Sequence, residues 1–533
     1  MSDVGEARKL LAELPVNAPL KALGDVTSWL ISVKETPDFL PERRAGVVML
    51  LDETGQQLQA ELLQQYLAEP HFQDFKGLHL WRGAHGFMAA LTEAYAICLN
   101  EFQQEEKRPP AITEKTSIIC VRMLRAAAEQ MKLELMRYLD VEKSVWSHLC
   151  AAHTFAEANQ CADAMVHAYP SHAIHTSPKM ELLRAAVLYV SSPSTLSPGQ
   201  IEVSFRIAAR MASLFDFSET PNPACPYYLD LSSPGEPRPV DVQLQATPSM
   251  RFFGSAKAVP KLEDITRQNE HGAIDPERRF GSEFTPEGKL TVLKHLQKYW
   301  SNEHPHRLQE RRNISTSIDV VHGFRNISKL VTRVELNQVI NADRQTAKVK
   351  GQDGMNLSSE ELDYTTETWP VMDASLGGIG GIIPQSTGAW VKIGALCGIR
   401  AQNSTLWWVG MIRRLHTDHQ NKVHVGIEIL SKKPVSIWLR SLGKGAELVS
   451  NWETSSGSFA YDYMPSILLP DGRNTEQNIA MLVEPGIYVP DGLYEAMMGE
   501  NSRNIRFAKL LDEGDDYERA SFQWLANPTG SDP

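Results

Sequence analysis

The pattern of apolar residues changes once along this chain, and that change limits the fold more than any other feature. Over about residues 1–217, apolar residues recur every three or four positions, as on the buried face of a helix. From Thr220 onward, short stretches of alternating polarity follow one another and are separated by Pro, Gly, Asn and Asp. The sequence therefore predicts a multidomain α+β protein that begins with an all-α helical bundle and continues into β domains.

Four segments follow from this pattern. Residues 1–217 form the helical bundle, 218–285 a small β-containing segment and linker, 286–440 a helix and a β-barrel, and 441–533 a C-terminal β domain. Thr285 and Pro286 are typical of a helix start, because Thr caps well and Pro fits the first turn. The last segment repeats the closing hairpin pattern of the barrel, which favours a second, degenerate barrel.

The alternation of polar and apolar residues also predicts individual strands. In the second segment these are residues 227–231, 240–244 and 250–253, and the polar residues 266–285 are interpreted as a linker. In the barrel segment they are residues 318–324, 378–383, 390–401, 405–415 and 422–430, with a polar loop over 341–368. Arg413 and Arg414 are predicted to lie on a solvated strand edge, and the alternative is that one of them lines a ligand face.

Composition and termini exclude several classes of protein. The net charge of −12 argues against a binder of nucleic acid polymers, because phosphate neutralisation needs a surplus of Lys and Arg. It leaves room for a small basic pocket that takes a small anion. The six cysteines form no CxxC pair, so buried reduced thiols are expected and a metal site is not. We find no signal peptide and no run of about 18 apolar residues, and therefore expect a cytoplasmic protein without membrane insertion.

The motif Asp373-x-Ser375-x-x-Gly378 carries the strongest chemical signal in the chain. A carboxylate and a hydroxyl two positions apart on an extended segment lie on one face. Together they can accept hydrogen bonds from, or donate them to, the polar edges of a purine. Gly378 would let the backbone approach a flat ligand closely. The same residue types are also ordinary turn formers, which is the structural alternative.

A basic segment precedes this motif and contains Arg307, Arg311 and Arg312. The planar guanidinium of Arg can bond guanine or phosphate in bidentate fashion and can stack on a base. Arg307-x-x-x-Arg311 places two such groups four positions apart. Arg344 and Lys348 have the same spacing and are a weaker alternative.

Residues 305–440 resemble a PilZ domain. The resemblance rests on Asp373-x-Ser375-x-x-Gly378, on the stretches 390–394, 408–415 and 425–430, and on the basic segment that precedes them. It implies an antiparallel β-barrel in a bacterial signal-transduction protein, with the nucleotide cyclic di-GMP as ligand. The ligand-binding residues it implies are Arg307, Arg311, Arg312, Asp373, Ser375 and Gly378. The family's RxxxR segment is met only when it is read from Arg307, since Ser315 follows Arg311 at that spacing.

Two functional hypotheses remain open at this stage. The first is a cyclic di-GMP receptor or adaptor that couples the ligand to an unknown protein partner through the helical domain. The second is a degenerate PilZ scaffold that does not bind the nucleotide and acts only in protein–protein interaction. No catalytic spacing is recognisable and the glycine-rich run 377–381 lacks a P-loop Lys, so we expect neither an enzyme nor a cofactor other than the ligand.

Overall fold

The computed structural model divides into two compact units, Met1–His306 and Arg307–Pro533, which are described separately. It describes residues 3–15, 17–37, 39–69, 75–104, 110–170, 174–270, 280–303, 311–335, 365–384, 388, 390–402, 404–442, 463–470, 479–499 and 501–525. The α+β class with a helical N-terminal region is confirmed.

The first unit is built mainly from helices. They are α1 (Val4–Ala12), α2 (Pro19–Glu35), α3 (Pro41–Ala68), α4 (Phe75–Gln104), α5 (Pro110–Met136), α6 (Lys143–Ala158), α7 (Pro178–Val190), α8 (Pro198–Met211), α9 (Val259–Glu270) and α10 (Pro286–Trp300). Strands β1 (Val166–His167) and β2 (His175–Thr176) pair with each other. Strands β3 (Asp216–Ser218), β4 (Tyr227–Asp230), β5 (Arg238–Pro239) and β6 (Met250–Gly254) form a sheet in the order β3-β6-β4-β5.

Helix α5 lies at the centre of this unit and buries charge as well as apolar surface. The Lys132 ammonium lies 2.6 Å from Glu202 of α8 and 2.5 Å from Glu129 of its own helix. Lys132 and Glu202 are both buried. Removing one partner of such a pair leaves an uncompensated charge in the interior, so the pair requires α5 and α8 to pack in this register.

The first unit differs from the sequence predictions at three places. Residues 240–244 form no strand, and the Leu244 amide donates to Asp241 in a turn instead. Residues 259–270, which overlap the predicted linker, form helix α9, since Leu262 and Ile265 supply an apolar face that is buried. Helix α10, which the sequence analysis grouped with the barrel, lies in the first unit.

The start of α10 is as predicted from its sequence. The Thr285 side chain accepts a hydrogen bond from the Gly288 amide at 3.1 Å, and Pro286 is the first helical residue. All six cysteines are free and buried. None of the helices in the described part of the chain is both long and apolar enough to cross a membrane.

The second unit contains two closed antiparallel barrels. The first comprises β7 (Arg312–His322), β8 (Glu367–Ala374), β9 (Gly378–Ile383), β10 (Leu396–Ala401), β11 (Trp408–Thr417) and β12 (Val423–Ser431). Helix α11, residues 324–335, follows β7. The second barrel comprises β13 (Val435–Ser441), β14 (Met464–Leu469), β15 (Ala480–Val483), β16 (Leu493–Met498), β17 (Asn501–Glu513) and β18 (Glu518–Trp524).

Both barrels have the same strand order. Numbered within each barrel, the strands follow the ring 1-2-3-6-5-4, and every neighbouring pair is antiparallel. The register shift at Arg413 of β11 recurs at Ala508 of β17. The predicted second barrel is therefore confirmed as a topological copy of the first.

The barrels share an apolar contact centred on α11. Phe324, Ile327 and Val331 of this helix pack in one buried cluster with β11 of the first barrel and with Ile467 and Leu469 of the second. A polar contact adds to it, because the Tyr517 hydroxyl donates to the Gly394 carbonyl at 3.0 Å. The docking surface of the second barrel is thus mostly hydrophobic.

Two features of the first barrel differ from the predicted strands. The strand predicted for residues 318–324 runs from Arg312 to His322, and Phe324 begins α11 after Gly323, whose φ is +89°. The strand predicted for residues 390–401 starts only at Leu396, since Gly394 has φ +85° and interrupts extended backbone.

One ion pair in the first unit predicts a pH dependence of stability. Arg251 of β6 contacts Glu157 of α6 at 2.7 Å, and His153 lies 3.1 Å from the same carboxylate. Burial raises the pKa of Glu157, but its contacts with His153 and Arg251 outweigh burial and lower that pKa from 4.5 to about 2. A carboxylate with a lowered folded-state pKa stabilises the fold above its unfolded pKa and loses that effect as the pH falls.

We therefore expect Glu157→Gln to lower the free energy of unfolding by about 1–2 kcal/mol at pH 7, after allowance for solvent screening. Wild type and variant should converge between pH 5 and pH 2, which urea unfolding at several pH values would measure. Glu270→Gln removes an exposed pair with Lys294 and serves as the control, with little change expected. A constant difference across that pH range would contradict the assignment.

Candidate functional site

The predicted motif forms the hairpin between β8 and β9. Asp373 lies next to the end of β8, and Gly378 is the first residue of β9. The Ser375 amide donates to the Gly378 carbonyl at 2.8 Å and closes the turn. The turn chemistry that was the structural alternative is therefore present, and it also fixes where Asp373 lies.

Irregular pairing surrounds Asp373 on both sides. The register between β8 and β9 shifts between Val371 and Asp373, and the register between β7 and β8 shifts between Asn313 and Thr316. Bulges of this kind bend a strand and re-aim its side chains. Val371 is buried in the barrel, whereas the carboxylate of Asp373 is half-buried on the outside.

A guanidinium group lies directly on this carboxylate. Nη1 of Arg311 donates to Oδ1 of Asp373 at 2.6 Å, with the side chains 35% and 27% exposed. Arg311 immediately precedes β7, whose first residue, Arg312, is paired with Ala374. The basic segment thus meets the barrel at the wall that presents the acid.

Two glycines form the floor beside Asp373. Asp373 of β8 pairs with Gly380 of β9, Gly380 with Gly426 of β12, and Gly426 with Arg414 of β11. A Cβ atom at Gly380 would lie 2.6 Å from Oδ1 of Asp373, and one at Gly426 would lie 3.2 Å from Cβ of Arg414. Four neighbouring strands therefore present an acid, two bare backbone segments and a cation in one row.

A cavity of about 240 Å³ lies over this floor. Its lining combines two arginines, one aspartate and two histidines with glycine backbone and apolar side chains: Arg311, Met372, Asp373, Gly380, Gly381, Arg414, His416, His424, Val425 and Gly426. Cationic groups at its edge and a floor without side chains suit a flat anionic ligand.

The structure brings only some of the predicted residues into this cavity. Arg311 and Asp373 line it together. Arg312 is exposed on β7 and Ser375 lies in the hairpin turn, and neither is among the residues that line the cavity. Gly378 packs against β12, where a Cβ atom would lie 3.0 Å from the Ile427 carbonyl. Arg307, with the alternative pair Arg344 and Lys348, lies outside the described residues.

The strand-edge placement that the sequence favoured for Arg413 and Arg414 is wrong, because β11 is paired on both sides in a closed barrel, and Arg414 lines the cavity. Arg414 and His416 alternate with Leu415, which is fully buried, so period-2 alternation in β11 places both on the outer face. That alternation was a usable signal. The bulge at Arg413 obscured it, because two adjacent arginines on a regular strand would face opposite sides.

The histidines lie at the edge of the cavity. Nε2 of His424 lies 2.9 Å from Oδ2 of Asp418, and the His416 and His424 rings are 5.9 Å apart. The hydrogen bond from His424, followed by that from the Lys422 amide, lowers the pKa of Asp418 to about 2. Across the described ranges no group of three or more His, Cys, Asp or Glu side chains could hold a metal ion.

The equivalent face of the second barrel has a different composition. Leu469, Ala480, Ser521 and Lys509 occupy the row that Asp373, Gly380, Gly426 and Arg414 occupy in the first barrel. Leu469 and Ala480 pack in the apolar cluster with α11. The same topology therefore carries a polar cavity in one barrel and a docking surface in the other.

Two family models match the chain. One, described as the N-terminal domain of the cyclic-di-GMP receptor FimW, matches residues 5–223, and the other, its middle PilZ domain, matches residues 326–434. Together they cover more than half of the chain, and the family is one of receptors, not of enzymes. No curated protein and no solved structure matches. The chain belongs to the FimW family of cyclic-di-GMP receptors, with a PilZ domain in its middle region.

Proposed function

We propose that this chain binds cyclic di-GMP in the cavity on the outer face of the first barrel, and that the helical unit passes the binding event to a protein partner. The contact between Arg311 and Asp373 supports this proposal most directly, since it joins the basic segment to the motif strand. Family membership supplies the ligand.

The chemistry of the cavity suits both parts of this ligand. The guanidinium of Arg311 has five donors in a planar fork, so one can hold Asp373 while others bond a phosphate or the O6 and N7 atoms of guanine. The carboxylate of Asp373 accepts hydrogen bonds, and guanine offers donors on its Watson–Crick edge. Their mutual contact orients each group before the ligand arrives, which lowers the entropy lost on binding.

We assign supporting roles to the other predicted residues. Arg307 would add a cation from the segment before β7, Arg312 would add one from the first position of β7, and Ser375 would add a hydroxyl at the rim of the hairpin. Gly378 would act indirectly, because its missing side chain lets β9 approach β12 and sets the position of Gly380. The overall charge of −12 does not oppose binding, since screening confines charge effects to about 10 Å.

Loss of either partner of the central pair should weaken binding. We expect Arg311→Ala and Asp373→Ala each to lower affinity for cyclic di-GMP about 10- to 100-fold, the value of a lost charge-assisted hydrogen bond. Asp373→Asn keeps an acceptor and should retain more affinity than Asp373→Ala. Isothermal titration calorimetry on the full chain measures all three.

Arg440→Ala is the matched control, because it removes an arginine that is ion-paired with Glu495 in the second barrel. Its affinity should equal that of wild type. Absence of heat from wild type at saturating cyclic di-GMP would contradict the proposal and support the non-binding scaffold.

The glycine floor can be tested without changing any charge. Gly380→Ala would place a Cβ atom 2.6 Å from Oδ1 of Asp373, so the carboxylate must move away. We expect an affinity loss of about tenfold. Gly388→Ala adds the same methyl group in the same barrel at an ordinary 3.6 Å from Trp390, and should bind normally. Equal affinities in the two variants would argue against a role for the floor.

Coupling to the helical unit predicts a change beyond the barrels. A ligand shifts an equilibrium only if it binds two arrangements differently, so saturating cyclic di-GMP should alter amide hydrogen exchange within residues 1–306. Mass spectrometry of the full chain with and without ligand measures this, and Asp373→Ala with ligand is the control. Changes confined to residues 307–533 would leave binding intact but contradict coupling.

A further inference from the structure

We infer that Arg414 is a second ligand-contacting cation that holds one phosphate of the cyclic dinucleotide across the glycine floor from Arg311. This inference rests on the proposed function and extends it to the β11 side of the cavity. It makes the cavity two-sided, with one guanidinium group at each end.

The strand register places Arg414 at the far end of the row that begins at Asp373. Three strand-to-strand steps separate the two residues, and the intermediate positions are Gly380 and Gly426. Neighbouring strands lie about 4.8 Å apart, so the row spans about 14 Å along the sheet. Long arginine side chains at both ends can reach inward over a floor of this width.

The charges of the cavity point to the same residue. Arg311 is already engaged by the Asp373 carboxylate. Two further arginines of this barrel are also neutralised, since Arg413 pairs with Glu428 and Asp512, and Arg400 pairs with Asp319. Within the part of the chain that the structure describes, no carboxylate lies within ion-pair distance of Arg414.

The floor explains why a cation at this position would be useful. Both central residues of the row are glycines, so a planar ligand can lie against backbone and extend from one end to the other. A ligand with two phosphates can then meet both guanidinium groups at once. A mononucleotide would meet only one of them, so Arg414 would favour the dinucleotide.

The second barrel provides a natural comparison. It also has a cation in the Arg414 position, Lys509, but Ala480 and Ser521 replace the glycine floor and Leu469 replaces the acid. Leu469 is buried against α11. A cation on this strand therefore does not by itself make a site, and Lys509 serves as the matched control position.

Calorimetric titration of the full chain with cyclic di-GMP tests the inference. We expect Arg414→Ala to lower affinity about tenfold or more, and Arg414→Lys to recover part of it, because Lys keeps the charge but not the planar fork. The loss should be larger at low salt, since it arises from charge. Lys509→Ala should bind like wild type.

A second variant tests the floor on this side. Gly426→Val fills it without altering any charge and should reduce binding at least as strongly as Arg414→Ala. The control Ser521→Val makes the equivalent change in the second barrel. The thermal midpoint of each variant without ligand shows whether it folds.

The outcomes separate this inference from the function on which it rests. Folded Arg414→Ala that binds within about twofold of wild type overturns the role of Arg414 and leaves the Arg311 site standing. A tenfold loss in Lys509→Ala also overturns it, because the effect would then not be specific to this cavity. Wild type that does not bind overturns the proposed function and this inference together.

Discussion

The cavity of this protein depends on how closely strand β9 approaches its neighbours. A Cβ atom at Gly378, Gly380 or Gly381 would lie 2.6–3.0 Å from atoms of the adjoining strands β8 and β12. Real side chains do not tolerate contacts that short, so the glycine-rich run is a packing requirement of the barrel before it is a feature of a ligand site. Once the strands have closed on each other, the outer surface of that run is bare backbone, and the Asp373 carboxylate lies over it.

The two barrels show that topology alone does not produce this site. Their strand order and even one bulge are the same, but the outer row at β14 and β15 carries Leu469 and Ala480. Apolar side chains there bury surface against α11, at about 25 cal/mol for each Å². Glycine and aspartate in the first barrel give up that burial and leave a polar hollow. The residues in this one row therefore decide whether the outer face of a barrel packs against α11 or is left open for a ligand.

Period-2 alternation and turn formers predicted most of the second unit, because a barrel wall has one buried and one solvated face. Strand β9 has the predicted bounds of 378–383. Helix α11 was missed, since its apolar residues follow a strand directly and only the backbone of Gly323 separates the two elements. The motif pointed to Asp373, which lines the cavity. Alternation in β11 could place Arg414 on the outer face, but its position opposite Asp373 follows only from the register of four strands that are distant in sequence.

Arg413 and Arg414 show why such a register matters. The bulge between β11 and β12 lets consecutive arginines serve different surfaces. Arg413 is held by Glu428 of its own barrel and by Asp512 of the second barrel, whereas Arg414 lines the cavity. A backbone shift at the bulge would move both residues. The contact between the barrels and the geometry of the cavity therefore both depend on the backbone conformation at this bulge.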